Sequence, residues 1–232
     1  MSRLQHLALV CLALIACSLM SGQDAKAEPV DVELILAVDS SASVDFNEFN
    51  LQLKGLADAF RDPEIIEIIG DGAYGAIAVT LVEWASQHRQ TVSVPWTLIS
   101  DEASALAFAA QIDNAPRRIE SGATAIADAL VFAASLFPDN GFEGTRRVID
   151  ISGDGYNNQG LPLFQGRGAV LTSGITINAI GIENELMGLT IYFEKALIGG
   201  PGAFAIQASD YEDYLTKIRR KLIRELQAPP VS

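Results

Sequence analysis

Residues 32–43 read VELILAVDSSAS, and this stretch decides the fold that we predict. Its first seven residues are apolar except for Glu33, which is typical of a central parallel strand covered by helices on both faces. The strand is followed at once by the carboxylate of Asp39 and by two hydroxyls spaced two apart, those of Ser41 and Ser43. Mg²⁺ and Ca²⁺ prefer such oxygen ligands, and open α/β sheets bind ligands at the carboxyl ends of their strands.

Strand and helix patterns alternate outward from this stretch along the rest of the chain. Strands are predicted at 32–38, 73–84, 90–96, 147–152, 175–182 and 204–206. Helices are predicted at 45–60, 101–112, 123–137, 161–172, 185–198 and 211–226. The second and third strands form an antiparallel edge hairpin. This order predicts an α/β fold with a doubly wound, mostly parallel central sheet, one antiparallel edge strand and helices on both faces.

The first residues have the order of a secretory signal peptide. A basic residue near the start precedes a short apolar core at 7–20, and Ala-Lys-Ala at 25–27 is a small-x-small cleavage site. The core is too short to span a membrane comfortably. We therefore expect removal of residues 1–27, a single domain over 28–228 and a short C-terminal tail at 229–232. The expected location is outside the bacterial cytoplasm, either periplasmic or secreted.

A second export route is open, because residues 14–17 (LIAC) resemble the bacterial lipobox, which would leave the protein lipid-anchored through Cys17. Cys11 and Cys17 are the two cysteines of the chain, so the mature domain would have no disulfide framework. No later segment is apolar for long enough to span a membrane. The formal net charge of −13 becomes −14 without the leader, which disfavours nucleic acid and anionic membranes as partners.

Three loops rich in hydroxyl and carboxylate groups converge at the carboxyl edge of the sheet in this topology. They are residues 39–43, the segment 121–124 (SGAT) before a helix, and the segment 152–155 (SGDG) after a buried strand. The candidate metal ligands are Asp39, Ser41, Ser43, Thr124 and Asp154. Two carboxylates and three hydroxyls can neutralise a divalent cation and leave room for a ligand oxygen. A near-octahedral oxygen shell suits Mg²⁺ or Mn²⁺ better than Zn²⁺.

On these residues the chain resembles the von Willebrand factor type A (vWA) family, over essentially its whole mature length. The Asp-x-Ser-x-Ser element at 39–43, Thr124 and Asp154 match the metal-ion-dependent adhesion site (MIDAS) of that family. The resemblance implies that Ser41 and Ser43 ligate the metal directly. It also implies that Thr124 and Asp154 alternate between direct and water-mediated contact, while Asp39 acts mostly through water and orients the hydroxyls.

Two of the three loops differ in sequence from the pattern that is usual in the vWA family. Residues 121–124 read SGAT where the family more often has Gly-Gly-Thr, and 152–155 read SGDG where Thr-Asp-Gly is usual. The segments 82–84 (VEW) and 152–158 (SGDGYNN) are most similar to an exported bacterial branch of the family, of unassigned function. The resemblance therefore implies a fold and a site rather than a biological role.

Other motifs in the chain have simpler interpretations. Residues 70–75 match Gly-x-Gly-x-x-Gly but precede a strand, whereas a dinucleotide site needs the motif after one. Residues 150–161 faintly resemble a calcium loop but end in Leu161 where an EF-hand has Glu. His88 is the one histidine outside the leader and lies in a polar turn, so neither a histidine zinc site nor a Ser-His-Asp triad is predicted.

The resulting hypothesis is a non-enzymatic, exported binding protein that uses Mg²⁺ (or Mn²⁺ or Ca²⁺) to bind a carboxylate of a partner protein. No catalytic residue is predicted. One alternative is a phosphatase-like, metal-dependent hydrolase with Asp39 as nucleophile, although the three loops lack the Lys or Arg that such chemistry usually needs. Another is a structural envelope protein whose site is empty. The oligomeric state is left open.

Overall fold

The computed structural model describes residues 26–227. Its strands are β1 (Glu28–Asp39), β2 (Ile77–Trp84), β3 (Gln90–Ile99), β4 (Phe142–Gly153), β5 (Thr176–Ile182) and β6 (Ala205–Ala208). Its α-helices are α1 (Phe46–Phe60), α2 (Pro63–Gly70), α3 (Glu102–Asp113), α4 (Ile126–Ala134), α5 (Leu163–Thr172), α6 (Leu189–Tyr192) and α7 (Tyr211–Leu226). A π-helical segment, Phe193–Leu197, continues α6.

The six strands form one sheet in the order β3-β2-β1-β4-β5-β6. All neighbouring pairs are parallel except β2 and β3, which are antiparallel at one edge. The predicted fold class is therefore confirmed. From β1 the chain first builds the sheet outward on one side, with β2 and β3, and then on the other side, with β4, β5 and β6. The direction in which strands are added therefore reverses beside β1. Open α/β sheets bind ligands at such a switch point.

The central strand β1 separates two hydrophobic cores. Leu34 and Leu36 pack into the core that α1, α2, α3 and α7 cover. Ile35 and Ala37 pack into the second core, which α4, α5, α6 and the π-helical segment cover. Alternate side chains of a strand point to opposite faces, so an almost continuous apolar run is what a strand buried on both faces requires. The end of β1 is thus held rigidly from both sides.

Tertiary hydrogen bonds shorten two of the predicted helices. The helix predicted at 123–137 begins only at Ile126, because the Ala125 N–H donates to Ala85 O and Thr124 O accepts from the Asn158 N–H. The helix predicted at 185–198 becomes α6 and the π-helical segment. The Glu183 carboxylate accepts from the N–H groups at the start of α6, which sets the late beginning of that helix.

The structure has one helix that was not predicted, and its strands β1, β3 and β4 extend beyond their predicted limits. Helix α2 was not predicted, although Pro63 is its first residue and the Asp62 carboxylate caps it by accepting from the Glu64 N–H. Strand β4 begins at Phe142 rather than at residue 147, because its first half pairs with the start of β1.

The predicted leader falls almost wholly outside the described residues, as does the lipobox alternative at Cys17. The domain limits proposed from the sequence therefore stay predictions. Within residues 26–227, no helix combines the length and the apolar character that a membrane crossing needs.

Candidate metal centre

The first and third of the predicted loops meet at the carboxyl edge of the sheet. They follow β1 and β4, which are hydrogen-bonded neighbours with Ala37 opposite Ile151. The Ser43 hydroxyl donates to Asp154 Oδ1 at 2.7 Å, and Ser41 Oγ lies 3.2 Å from Ser43 Oγ. Ser43 is not the cap of the following helix, because Asp45 fills that position.

The middle loop reaches the same place. Thr124 is buried, and a Cβ built on Gly155 would lie 3.3 Å from Thr124 Oγ1. Gly155 directly follows Asp154, so the Thr124 hydroxyl lies beside the third loop. The three loops that carry the five residues selected from the sequence therefore lie together at the carboxyl edge of the sheet.

The Asp39 carboxylate is fully buried and only half satisfied. Asp39 Oδ1 accepts from the Ser41 N–H at 2.7 Å, whereas Oδ2 has no hydrogen-bond partner. A Cβ built on Gly153 would lie 3.1 Å from that Oδ2, so the glycine leaves the carboxylate its space. Burial, with the negative charge of Asp154 as the next cause, raises the pKa of Asp39 to about 7.

This donor set fits a cation that prefers oxygen ligands. Among the described residues, no group of three or more His, Cys, Asp or Glu side chains could hold a metal, so the ligands here would be two carboxylates and three hydroxyls. A cation at this rim would give Asp39 Oδ2 its missing partner and offset the repulsion between Asp39 and Asp154. Mg²⁺ and Mn²⁺ favour such oxygen shells.

Tyr211 is a contributor to the site that the sequence analysis missed. It is the first residue of α7, and its buried hydroxyl donates to Asp154 Oδ2 at 3.0 Å. Burial and then the charges of Asp154 and Asp39 raise the pKa of Tyr211, which keeps its proton on the hydroxyl. Both oxygens of Asp154 are thus held in place, one by Ser43 and the other by Tyr211.

Asn157 and Asn158 hold the middle loop against the third loop. Asn158 Oδ1 accepts from the Thr124 N–H at 2.9 Å, and the Asn158 N–H donates to Thr124 O at 2.9 Å. Asn157 Oδ1 accepts from the N–H of Ala127 in the first turn of α4. The sequence left open whether these residues form a simple turn or the rim of the site. They fix the backbone on which Thr124 sits.

A family model matches residues 29–230, almost all of the described chain. The chain belongs to DUF1194. That family is described as a protein of unknown function. No curated protein matches the sequence.

Solved structures with vWA-like folds are similar to this DUF1194 chain. Proximal thread matrix protein 1 (PTMP1) from the mussel byssus, with a zinc-occupied MIDAS motif, has a TM-score of 0.63 at 17% identity, over 86% of this chain and 48% of its own. The PilB minor pilin from Streptococcus sanguinis has a TM-score of 0.59 at 14% identity, over 86% and 64%. The conserved hypothetical protein BatB from Bacteroides thetaiotaomicron has a TM-score of 0.52 at 18% identity, over 84% and 98%.

At these identities the likeness concerns the fold alone. The DUF1194 chain spans about half the length of PTMP1 and nearly the whole of BatB. Each neighbour supports the α/β architecture described above.

A second ring of contacts fixes the first loop of the DUF1194 chain. Gln52 Nε2 donates to Asp39 O at 2.9 Å, and Gln52 Oε1 accepts from the Ser152 hydroxyl at 2.8 Å. Arg117 Nε donates to Ser40 Oγ at 2.9 Å, and Arg117 Nη2 donates to Val44 O. The three loops themselves contain no Lys or Arg. The Arg117 guanidinium is there, but it is occupied by the first loop's backbone and the Ser40 hydroxyl.

Proposed function

We propose that this DUF1194 protein is a non-enzymatic, exported binding protein that holds a carboxylate of a partner protein through one divalent cation. The ligands are Asp39, Ser41, Ser43, Thr124 and Asp154. Their arrangement at the carboxyl edge corresponds to the MIDAS of vWA domains, which the sequence resembles.

One observation carries the proposal: a fully buried carboxylate, Asp39, has an oxygen without a partner and faces a second carboxylate, Asp154. Burying an ionised carboxylate without a counter-charge is strongly unfavourable. No basic side chain pairs with Asp39 or Asp154 among residues 26–227. A bound cation removes this penalty, so the arrangement is understandable as a site prepared for one.

The chain's own residues prepare the site in distinct ways. Ser43 and Tyr211 orient the two oxygens of Asp154. The Ser41 N–H orients Asp39, and Asn158 fixes the backbone of Thr124. The cation, when bound, neutralises the acidic pair and offers a coordination position to an oxygen of the partner. Because the ligands are preorganised, little conformational entropy is lost on binding.

The cation that we expect is Mg²⁺, with Mn²⁺ and Ca²⁺ as alternatives, since all donors are oxygens. PTMP1 carries zinc in its MIDAS motif, so Zn²⁺ belongs in the same titration series. Calorimetric titration of each ion into the purified protein ranks them.

Export and the absence of enzymatic activity are parts of the same proposal. The predicted signal peptide at 1–27 supports export. The same fold occurs in a minor pilin and in a byssal thread matrix protein, which is consistent with export of this protein. The rival phosphatase-like mechanism needs Asp39 as an accessible nucleophile, and Asp39 is fully buried. No observation favours that rival.

The deciding experiment combines metal titration with partner capture. The purified protein captures partners in Mg²⁺ and in EDTA, and the variant Asp39→Ala is compared with the control Asp71→Ala. Asp71 is exposed and precedes β2, at the opposite edge of the sheet. We expect capture to be lost in EDTA and in Asp39→Ala but kept in the control. Capture that survives both EDTA and the Asp39→Ala substitution refutes the mechanism. If the titration shows no metal binding, the remaining hypothesis is a structural envelope protein whose site is empty.

A further inference from the structure

The end of strand β2 contacts all three loops of the candidate metal centre, although none of the candidate ligands belongs to this strand. Trp84 is the last residue of β2, and its carbonyl oxygen accepts from the Ser40 N–H of the first loop at 2.8 Å. Ser86 Oγ accepts from the Ala123 N–H of the middle loop at 2.8 Å. The indole ring of Trp84 reaches the third loop, where a Cβ built on Gly153 would lie 3.4 Å from Trp84 Cζ2. The end of β2 therefore joins the three loops.

The Trp84 side chain lies beside the Asp39 carboxylate. The two residues are opposite each other in the parallel pairing of β1 and β2. Alternate side chains of a strand share a face, so Asp39 points to the same side as Ala37, into the core to which Trp84 also belongs. The Cβ position of Gly153 lies 3.1 Å from Asp39 Oδ2 and 3.4 Å from Trp84 Cζ2. The carboxylate and the ring thus border the same space at the end of β1.

Each of these two buried side chains has a polar atom without a partner. Trp84 Nε1 and Asp39 Oδ2 make no hydrogen bond within residues 26–227, and both side chains are fully buried. The indole N–H can only donate and an ionised carboxylate oxygen can only accept, so the two atoms are complementary. Nε1 is two bonds away from Cζ2, the ring atom that borders the same space as Oδ2. Because an unpaired buried polar group is costly, a hydrogen bond between these two groups relieves both.

Packing alone does not explain a tryptophan at this position. The other tryptophan of the chain has the usual arrangement, because Trp96 Nε1 donates to Leu136 O at 3.1 Å. Phe or Leu in place of Trp84 would fill the core without burying a donor. Gly153 agrees with a closer relation between ring and carboxylate, since any side chain there would press on both of them.

We propose that Trp84 is a positioning residue of the metal centre, whose indole N–H donates to Asp39 Oδ2 directly or through one water. The inference rests on the proposed function, because the site that Trp84 supports is the one for the cation. The indole supplies a donor but no counter-charge, and a carboxylate oxygen has two acceptor positions, so Asp39 can serve both the indole and the cation. Hydrogen-bond partners of ligating carboxylates orient them and thereby raise metal affinity.

The test follows the indole N–H signals of the isotope-labelled, full-length protein by NMR, in EDTA and in Mg²⁺. The chain has two tryptophans, so the spectrum of Trp96→Phe assigns both signals. Asp39→Ala removes the acceptor that we assign to Trp84. Calorimetric titration of Mg²⁺ then compares Trp84→Phe with the matched control Trp96→Phe, which removes the same indole group from the edge strand β3.

A hydrogen-bonded indole proton resonates at lower field and exchanges more slowly with water than an unbonded one. In EDTA, we therefore expect the Trp84 signal to move to higher field and to exchange faster in Asp39→Ala, while the Trp96 signal stays unchanged. Adding Mg²⁺ to the wild type should shift the Trp84 signal alone. Trp84→Phe should lower the Mg²⁺ affinity by about 10- to 100-fold, and Trp96→Phe should leave it unchanged.

The outcomes separate this inference from the proposed function. A Trp84 signal that is the same in wild type and Asp39→Ala, or a wild-type Mg²⁺ affinity in Trp84→Phe, overturns the inference and leaves the proposed function intact. If urea denaturation shows that Trp84→Phe does not fold, the signals of wild type and Asp39→Ala decide alone. A wild type that binds no Mg²⁺ refutes the proposed function, and the comparison in EDTA still decides whether the indole bonds to Asp39.

Discussion

Replacing Asp39 by Asn should stabilise the metal-free protein while abolishing its metal binding. Burial and the nearby Asp154 raise the pKa of Asp39 from 3.8 to about 7, which means that the fold disfavours its ionised form. Asn is almost the same size, keeps an oxygen that can accept from the Ser41 N–H, and carries no charge. The variant therefore removes the electrostatic penalty and retains the packing.

The size of this effect depends on pH in a defined direction. Because the folded-state pKa lies above the unfolded value, the unfolded chain releases the Asp39 proton first as the pH rises. The folded state accordingly loses stability between about pH 4 and about pH 7, and the loss is complete above that range. A shift of this size corresponds to about 4 kcal/mol. Well below pH 3.8, Asp39 is protonated in both states and imposes no penalty.

The assay is urea denaturation in EDTA, for wild type and Asp39→Asn, at about pH 4, 5.5 and 8. The free energy of unfolding of the variant should exceed that of wild type by up to about 4 kcal/mol at the highest pH, and the difference should fall below about 1 kcal/mol at the lowest. Saturating Mg²⁺ should raise the stability of wild type alone. A variant that is less stable at the highest pH, or a difference that does not change with pH, refutes the reasoning about this carboxylate.

Three further substitutions probe the supports of the site and of the fold. Tyr211→Phe removes the donor to Asp154 Oδ2, and calorimetric titration should show metal affinity lower by about 10- to 100-fold; unchanged affinity would contradict an orienting role. Asn158→Ala leaves the buried Thr124 N–H without its acceptor. Calorimetric titration should therefore show a lower metal affinity, and in urea denaturation the free energy of unfolding should fall by about 1–3 kcal/mol. Lys221→Met removes the cation from a fully buried ion-pair cluster, and should cost about 3–5 kcal/mol in the same assay with little direct effect on the metal site; a neutral result would contradict the importance of that cluster.

The strands and most helices could be predicted because their signals are local. The apolar run before Asp39 identifies a strand buried on both faces, and parallel strands bring their carboxyl ends to one edge. These two facts direct attention to the loops at that edge, and the candidate ligands are the hydroxyl and carboxylate residues in those loops. The supporting residues had no such signal. Tyr211 lies 57 residues from Asp154, and Arg117 lies 77 residues from Ser40, so only the fold brings them together.

The limits of the helices were harder to predict for a related reason. The segment before α4 has the composition of a helix, but the Asn158 N–H donates to the Thr124 carbonyl oxygen, which a longer helix would use as an acceptor. Tertiary hydrogen bonds thus override local propensity where the middle loop carries a candidate ligand. Disagreement between propensity and structure is itself expected at functional sites.

One buried carboxylate, Asp150, lies in strand β4 and another, Asp154, directly follows the strand, and the fold treats them differently. Asp150 forms an ion pair with Lys221, which also lies 3.5 Å from Glu225, so the chain supplies a cation to this acidic group. Burial still raises the pKa of Asp150 to about 7, although the charge of Lys221 acts in the opposite direction. Four residues further on, burial and then the charge of Asp154 raise the pKa of Asp39 as well, and among residues 26–227 no basic side chain forms an ion pair with either of these two carboxylates. The same sheet therefore neutralises one buried acidic group with a lysine and leaves the other pair without an internal cation. The divalent cation of the proposed function would supply the counter-charge that the chain itself does not give to this second pair.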